Sequence, residues 1–196
     1  SLEAANILQL QNQPVLELKG QGVIVGLIDT GIDYTNRCFQ DSAGESRILA
    51  IWDQTEQGGA PPEGIGYGTV YSREDLNRAL KSGGPYAVVL SRDLTGHGTK
   101  LAAVAAGSMD PETGFIGAAP LADIAVVKLK PAKQYLKDYF MVPEGAEAYQ
   151  ENDIMLGLRF LHELAQRERK PLVICMALGT NMGGHAGTSP LSFYLN

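Results

Sequence analysis

The chain has 196 residues, 44% of them hydrophobic and 19% charged, which is typical of one globular domain with an apolar core. Its net charge of −6 disfavours nucleic acid as a partner, because phosphate binding needs a basic face. No apolar stretch reaches the ~18 residues that a membrane-spanning helix requires, so a membrane partner is not expected.

The predicted elements alternate between helices and strands. A short helix over residues 3–11 precedes two buried strands, over 23–28 and 47–53. A surface insertion rich in glycine and proline is predicted around 54–72, and it ends where Ser72 and Asp75 form the capping box of a helix. The later elements are a helix that His97 opens and Gly107 ends, a strand over 124–129, an amphipathic helix over 153–167 and a strand over 172–178. This order predicts an α/β fold, a parallel sheet with helices on both faces that is incomplete at its C-terminal side.

Two short motifs carry the chemistry. Ile28-Asp29-Thr30-Gly31 ends a buried strand, and Gly96-His97-Gly98-Thr99 begins a helix. Catalytic groups collect at the carboxyl ends of parallel strands. An Asp that holds a His in one tautomer, so that the His can take a proton from a hydroxyl, makes up two members of an Asp-His-Ser triad. We therefore expect Asp29 and His97 side by side, about 2.6–3.2 Å apart.

Other classes of site fit the residues less well. Asp-Thr-Gly also occurs in aspartic proteases, but those proteins are all-β and need two such loops. A dinucleotide fingerprint fails because Gly20 and Gly22 precede the strand instead of following it. His162 and His185 have no catalytic context, and the two cysteines, Cys38 and Cys175, match no metal or redox spacing.

The motifs resemble those of the subtilisin-like serine proteases. The aspartate motif of that family is matched by Val25–Asp33 (VGLIDTGID) and its histidine motif by Gly96–Gly107 (GHGTKLAAVAAG). Its substrate-binding Ser-Leu-Gly segment is matched by Ala177-Leu178-Gly179. The resemblance implies a serine endopeptidase in which Asp29 is the triad acid and His97 is the triad base.

The same resemblance implies further roles. Asp93 would line the pocket next to the scissile residue, while Ala177, Leu178 and Gly179 would pair with an extended protein or peptide substrate. Cys38 stands where many members carry a calcium-binding Asp. Because a thiol is a poor ligand for a hard cation, no calcium, other metal or cofactor is expected here.

Three segments resemble the Csp germination proteases of spore-forming bacteria more narrowly. They are Ile51–Thr55, Tyr71–Asp75 and Pro143–Gln150. This likeness implies an extracellular or spore-associated protein.

The nucleophile is expected outside this chain. Gly187-Thr188-Ser189 resembles the serine motif, but Pro190 follows where the family has Met-Ala. Too few residues separate Ser189 from the 172–178 strand for the later strand that carries the oxyanion Asn, and Ser-Pro is typical of a helix start. We therefore interpret residues 1–196 as the N-terminal part of a protease domain that hydrolyses no peptide bond by itself. Ser189 as nucleophile and an inactive pseudoprotease with a binding or regulatory role stay open as alternatives.

The partners expected are a peptide substrate, the C-terminal part of the protease domain and a second copy of the chain. The 172–178 strand would lie at an unfinished sheet edge, where Val173, Ile174 and Met176 need cover. Unprotected edges pair with other chains, so a homodimer through this strand is a hypothesis.

Overall fold

A computed structural model describes residues 2–179 and 186–195, and a five-stranded sheet lies at its centre. The strands are β1 (Ile24–Asp29), β2 (Ile48–Asp53), β3 (Thr69–Ser72), β4 (Asp123–Lys128) and β5 (Leu172–Cys175). Their order across the sheet is β3-β2-β4-β1-β5. All neighbours run parallel except β3, which pairs antiparallel with β2. The predicted α/β fold is confirmed, with one antiparallel edge strand added.

Helices cover both faces of this sheet. The helices of the described residues are α1 (Ile7–Gln11), α2 (Arg73–Leu80), α3 (Pro85–Val88), α4 (His97–Ala106), α5 (Gln134–Tyr139), α6 (Glu151–Glu168) and α7 (Pro190–Leu195). A 3₁₀ turn over Arg37–Phe39 lies between β1 and β2. Helices α2 and α4 pack into the core on one face, and α6 packs into the core on the other. No helix in the described part of the chain is long and apolar enough to cross a membrane.

Strand β1 is buried along its whole length. Val25 and Leu27 face the core that contains α4, whereas Ile24 and Ile28 face the core that contains α6. A strand covered on both faces has no solvent side, which explains the nearly continuous apolar run in its sequence. The strand delivers Asp29 to the carboxyl edge of the sheet.

Helix α6 lies close to the sheet because two glycines leave room for it. A Cβ on Gly26 of β1 would lie 2.9 Å from Cδ1 of Leu161. A Cβ on Gly157 of α6 would lie 3.2 Å from Cγ1 of Val127. The core under the carboxyl end of β1 is therefore tightly packed.

The structure differs from several of the sequence-based expectations. The expected surface insertion around 54–72 contains edge strand β3 and the buried residues Pro62 and Ile65. The predicted 172–178 strand ends at Cys175, and the predicted 3–11 helix is regular only from Ile7. Pattern alone missed β3 because the strand has four residues and follows a glycine-rich loop.

Strand β5 lies at one edge of the sheet that the described residues form. Val173 on this strand is 59% exposed, so the strand is open to solvent there. This position agrees with the predicted unfinished edge. Pairing with a second copy stays a prediction.

Candidate active site

Asp29 ends β1 with its carboxylate enclosed by protein. The residue is 1% exposed, and its Oδ1 accepts a hydrogen bond from the backbone N–H of Thr30 at 2.7 Å. The chain then turns sharply at Gly31, whose φ of 120° is a conformation that favours glycine. A Cβ there would lie 3.1 Å from Cδ of Lys128, which pairs with Asp53 at the same sheet edge.

His97 is the first residue of α4 and lies against this carboxylate. Its Nδ1 is 2.7 Å from Oδ1 of Asp29, within the range predicted from the two motifs. The His97 side chain is 51% exposed, whereas that of Asp29 is 1% exposed. One side of the imidazole is thus held by a buried acid while the rest of the ring is open to solvent.

The electrostatics of this pair favour a protonated imidazole. The hydrogen bond to Asp29 and the charge of Asp29 raise the pKa of His97 above its ordinary value, with smaller contributions from Asp93 and Glu147. Because a carboxylate only accepts, the Nδ1–H of His97 donates to Asp29 in the neutral tautomer. That tautomer leaves Nε2 as a proton acceptor, which is what a general base needs.

Asp93 lies in the loop before α4, four residues ahead of His97. Its carboxylate accepts hydrogen bonds from the N–H groups of Gly96 and Thr99, both at 2.9 Å. Burial raises its pKa, but the hydrogen bonds from Thr99, Thr30 and Gly96 outweigh burial and hold the pKa below its usual range. Its hydrogen bonds all come from the protein itself, and the predicted pocket-lining role stays a prediction.

The predicted substrate segment, Ala177-Leu178-Gly179, follows β5 directly. The register pairs Leu27 of β1 with Cys175, the last residue of β5. The segment therefore leaves the sheet at the same edge as the Asp29 turn. Ala177 and Gly179 are exposed, while Leu178 packs against the core that contains α6.

Ser189 is held at the start of α7. Its Oγ accepts a hydrogen bond from the N–H of Ser192 at 3.1 Å and lies 2.9 Å from the Ser192 hydroxyl. This is the N-cap arrangement expected from Ser-Pro. Of the other two histidines, His162 contacts Gln166 on the exposed side of α6, and His185 lies outside the described residues.

The surroundings of Cys38 bear on the expectation that no calcium binds here, which stays a prediction. The Cys38 carbonyl oxygen accepts hydrogen bonds from Nη2 of Arg47 at 2.9 Å and from the N–H of Ser108 at 2.8 Å. Burial raises the pKa of the Cys38 thiol to about 11, so the thiolate that would bind a metal is disfavoured. Among residues 2–179 and 186–195, no cluster of three or more His, Cys, Asp or Glu side chains could hold a metal.

Sequence reasoning missed two threonines at the site, Thr30 and Thr99. The Thr30 hydroxyl contacts both Asp93 and the N–H of Gly98, and the Thr99 hydroxyl contacts both Asp93 and the N–H of Asp33. Thr30 lies in the Asp29 motif and Thr99 in the His97 motif. Their position next to the two predicted site residues was the only indication in the sequence that they belong to the site.

Comparison with known proteins identifies the family of the chain. The profile of the subtilase family (peptidase S8) matches residues 20–192. The chain belongs to the subtilase family. Among solved structures, the CspB protease of Clostridium perfringens is similar, with 34% sequence identity and a TM-score of 0.82.

That match covers 100% of this subtilase chain and 37% of the CspB chain. The present chain thus spans little more than a third of the length of this solved relative. A comparison with curated proteins found no match.

Proposed function

We propose that the protein carrying this chain is a serine endopeptidase of the subtilisin type. The observation that supports this most strongly is the 2.7 Å contact between His97 Nδ1 and Asp29 Oδ1. A buried acid that orients a half-exposed imidazole is the arrangement that nucleophilic acyl transfer requires. Membership of the subtilase family supports the same reaction.

In this proposal His97 is the general base and Asp29 its orienting acid. Nε2 of His97 takes the proton of a serine hydroxyl as the hydroxyl oxygen attacks the peptide carbonyl carbon. The imidazolium that forms is stabilised by Asp29, which is itself almost fully removed from water. His97 then gives the proton to the leaving amine, and water releases the acyl group by the same steps.

The substrate would bind as an extended strand beside residues 177–179. These residues continue from the end of β5, at the sheet edge where Asp29 lies. Two of the three, Ala177 and Gly179, are exposed. Main-chain hydrogen bonds to such a segment hold a peptide extended without selecting its sequence.

The nucleophile is proposed to be a serine outside this chain. The Ser189 hydroxyl is bonded to the first turn of α7, and that contact supports a capping role for it. The 196 residues alone would then lack the covalent step and hydrolyse no peptide bond.

A Csp-type protease is the more specific proposal. Its support is the 34% identity to CspB over the whole of this chain. A role in spore germination follows only from the resemblance of the three Csp-like segments, and it is proposed on that basis.

A fluorophosphonate probe tests this function, because it labels a serine activated by a neighbouring base. We expect the full-length protein to be labelled at a serine outside these 196 residues, and His97→Ala to abolish the labelling. His162→Ala is the matched control, since His162 is exposed on α6 and contacts Gln166.

The other outcomes discriminate between the alternatives. Labelling of Ser189 that depends on His97 would make Ser189 the nucleophile and would overturn the proposal of an outside serine. A folded full-length protein that takes no label would indicate a pseudoprotease and overturn the enzymatic proposal.

A further inference from the structure

Asp93 is surrounded by hydrogen-bond donors from the protein itself. Its Oδ1 accepts from the Thr30 hydroxyl at 2.9 Å, from the Gly96 N–H at 2.9 Å, and from the N–H and hydroxyl of Thr95, each at 3.2 Å. Its Oδ2 accepts from the Thr99 N–H at 2.9 Å and from the Thr99 hydroxyl at 2.6 Å. A carboxylate offers about four lone-pair sites, so these donors leave little capacity for a substrate group.

Two of these donors bridge the Asp29 turn to the His97 helix. The Thr30 hydroxyl, next to Asp29, accepts from the N–H of Gly98, next to His97, at 3.0 Å. The Thr99 hydroxyl on α4 accepts from the N–H of Asp33, in the turn after β1, at 2.9 Å. Thr30, in the turn after β1, thus accepts a hydrogen bond from α4, and Thr99, on α4, accepts one from that turn.

The carboxylate decides which way both hydroxyls point. A hydroxyl has one hydrogen, and in Thr30 and Thr99 that hydrogen is donated to Asp93. With the hydrogens fixed there, the oxygen lone pairs are free to accept from Gly98 and Asp33. Without the carboxylate each hydroxyl loses the acceptor that fixes its hydrogen, and we expect its bridge to the opposite segment to weaken.

The same groups cap helix α4. Gly96, the N-cap residue, has a φ of 75° and no side chain that could cap. The N–H of His97 donates to the Thr95 hydroxyl at 3.4 Å, while those of Gly98 and Thr99 donate to Thr30 and Asp93. The helix start that carries His97 is therefore held from outside the helix.

We propose that Asp93, through the hydroxyls of Thr30 and Thr99, is a positioning residue that fixes the spacing between the Asp29 carboxylate and the His97 imidazole. The inference rests on the proposed function for its kinetic consequence, but its structural consequence is independent of that function. Displacement of a catalytic group by about 1 Å costs on the order of 10²-fold in rate. This clamp, formed by Asp93, Thr30 and Thr99, would therefore act on the reaction through the spacing of Asp29 and His97.

Three variants of the full-length protein test the clamp. In Asp93→Asn, either orientation of the amide turns an NH₂ group toward N–H donors, namely those of Gly96 or Thr99. Thr99→Val removes the bridging hydroxyl with little change of shape, and Thr99→Ser retains the hydroxyl.

The matched control is Asp110→Asn. Asp110 accepts from the Thr113 hydroxyl at 2.6 Å and from the Glu112 N–H at 3.0 Å, in an exposed turn after α4. Like Asp93, it accepts from a threonine hydroxyl and from a backbone N–H, but it does not join the Asp29 turn to His97.

The first readout is the proton NMR signal of the His97 Nδ1–H, which the bond to a buried carboxylate shifts downfield and protects from exchange. We expect Asp93→Asn and Thr99→Val to broaden or remove this signal, and Thr99→Ser and Asp110→Asn to retain it. The second readout is peptide hydrolysis, where the first two variants should lower kcat about 10-fold or more with KM within about twofold.

The outcomes separate this inference from the proposed function. A wild-type protein with the signal but no turnover would remove the proposed function and leave the clamp supported if the variants lose the signal. Asp93→Asn with unchanged signal would overturn the clamp, as would equal loss in Thr99→Ser and Thr99→Val. Equal loss in Asp110→Asn would show a general effect on folding and would also overturn it.

Discussion

Gly98 of α4 packs directly against the carbonyl oxygen of Gly31. A Cβ on Gly98 would overlap that oxygen and lie 3.1 Å from Oδ1 of Asp29. Neither neighbour can rotate away, since one is backbone and the other bonds His97. The close approach of the Asp29 and His97 segments therefore depends on the absence of a side chain at this position.

Gly98→Ala should destabilise the protein, against the usual trend. In an ordinary helix interior, alanine is about 0.5–1 kcal/mol more favourable than glycine. Here overpacking reverses the sign, and we expect a loss of about 1–3 kcal/mol of unfolding free energy in urea denaturation. Lys100→Ala, at an exposed position of the same helix, is the control and should change stability by at most about 0.5 kcal/mol. Equal or higher stability of Gly98→Ala would contradict the packing described.

Asp29→Asn should lower the pKa of His97. The hydrogen bond to Asp29 and its charge raise that pKa in the native protein, and an amide supplies no charge. NMR titration of the His97 ring measures the change directly. In the proposed reaction His97 must be neutral, so the rate of hydrolysis should rise with pH over a range above the ordinary value of about 6.5.

The raised pKa of His97 also predicts how the free energy of unfolding depends on pH. The native pKa of His97 is raised, so the contribution of the ion pair to unfolding free energy is fully present below the unfolded pKa of about 6.5. It is lost as the pH rises through the native pKa. A stability difference between wild type and Asp29→Asn that grows with pH over this range would contradict the assignment.

Ser72→Ala should remove one side of the capping box of α2. The Ser72 side chain accepts from the N–H of Asp75, and the Asp75 carboxylate accepts from the N–H of Ser72. Loss of such a cap costs about 1 kcal/mol, measurable by urea denaturation. Ser42→Ala, at an exposed turn position, should be neutral, and a similar loss in both variants would argue against the cap.

Motif and periodicity predicted much of the fold and the central contact of the site. The apolar run of β1 and the helical spacing of apolar residues along α6 both result directly from burial. The predicted bounds of these two elements therefore lie within a few residues of the observed ones. Asp29 and His97 were predicted as a pair because an Asp that orients a His makes up two members of an Asp-His-Ser triad. Strand β3 was missed because its pairing with β2 is a long-range contact that a four-residue pattern does not reveal. The bridges of Thr30 and Thr99 were missed for a related reason, since a threonine in a motif does not disclose which segment its hydroxyl joins.

The isolated 196-residue chain should associate through β5. That strand is an edge of the sheet in the described residues, and Val173 on it is 59% exposed. Analytical ultracentrifugation should detect a dimer that Val173→Lys weakens, because an edge lysine opposes strand pairing. Val104→Lys, on the exposed part of α4, is the matched control. A monomer at all concentrations would contradict this prediction.

The most direct measurement is hydrolysis of an unfolded protein substrate by the full-length protein and its His97→Ala and His162→Ala variants. We predict cleavage by the wild type, a loss on the order of 10⁴-fold or more in His97→Ala, and no change in His162→Ala. A rate that is the same in His97→Ala as in the wild type, or the absence of any cleavage by the folded wild-type protein, would contradict the role of the Asp29–His97 pair as the base of a subtilisin-type protease.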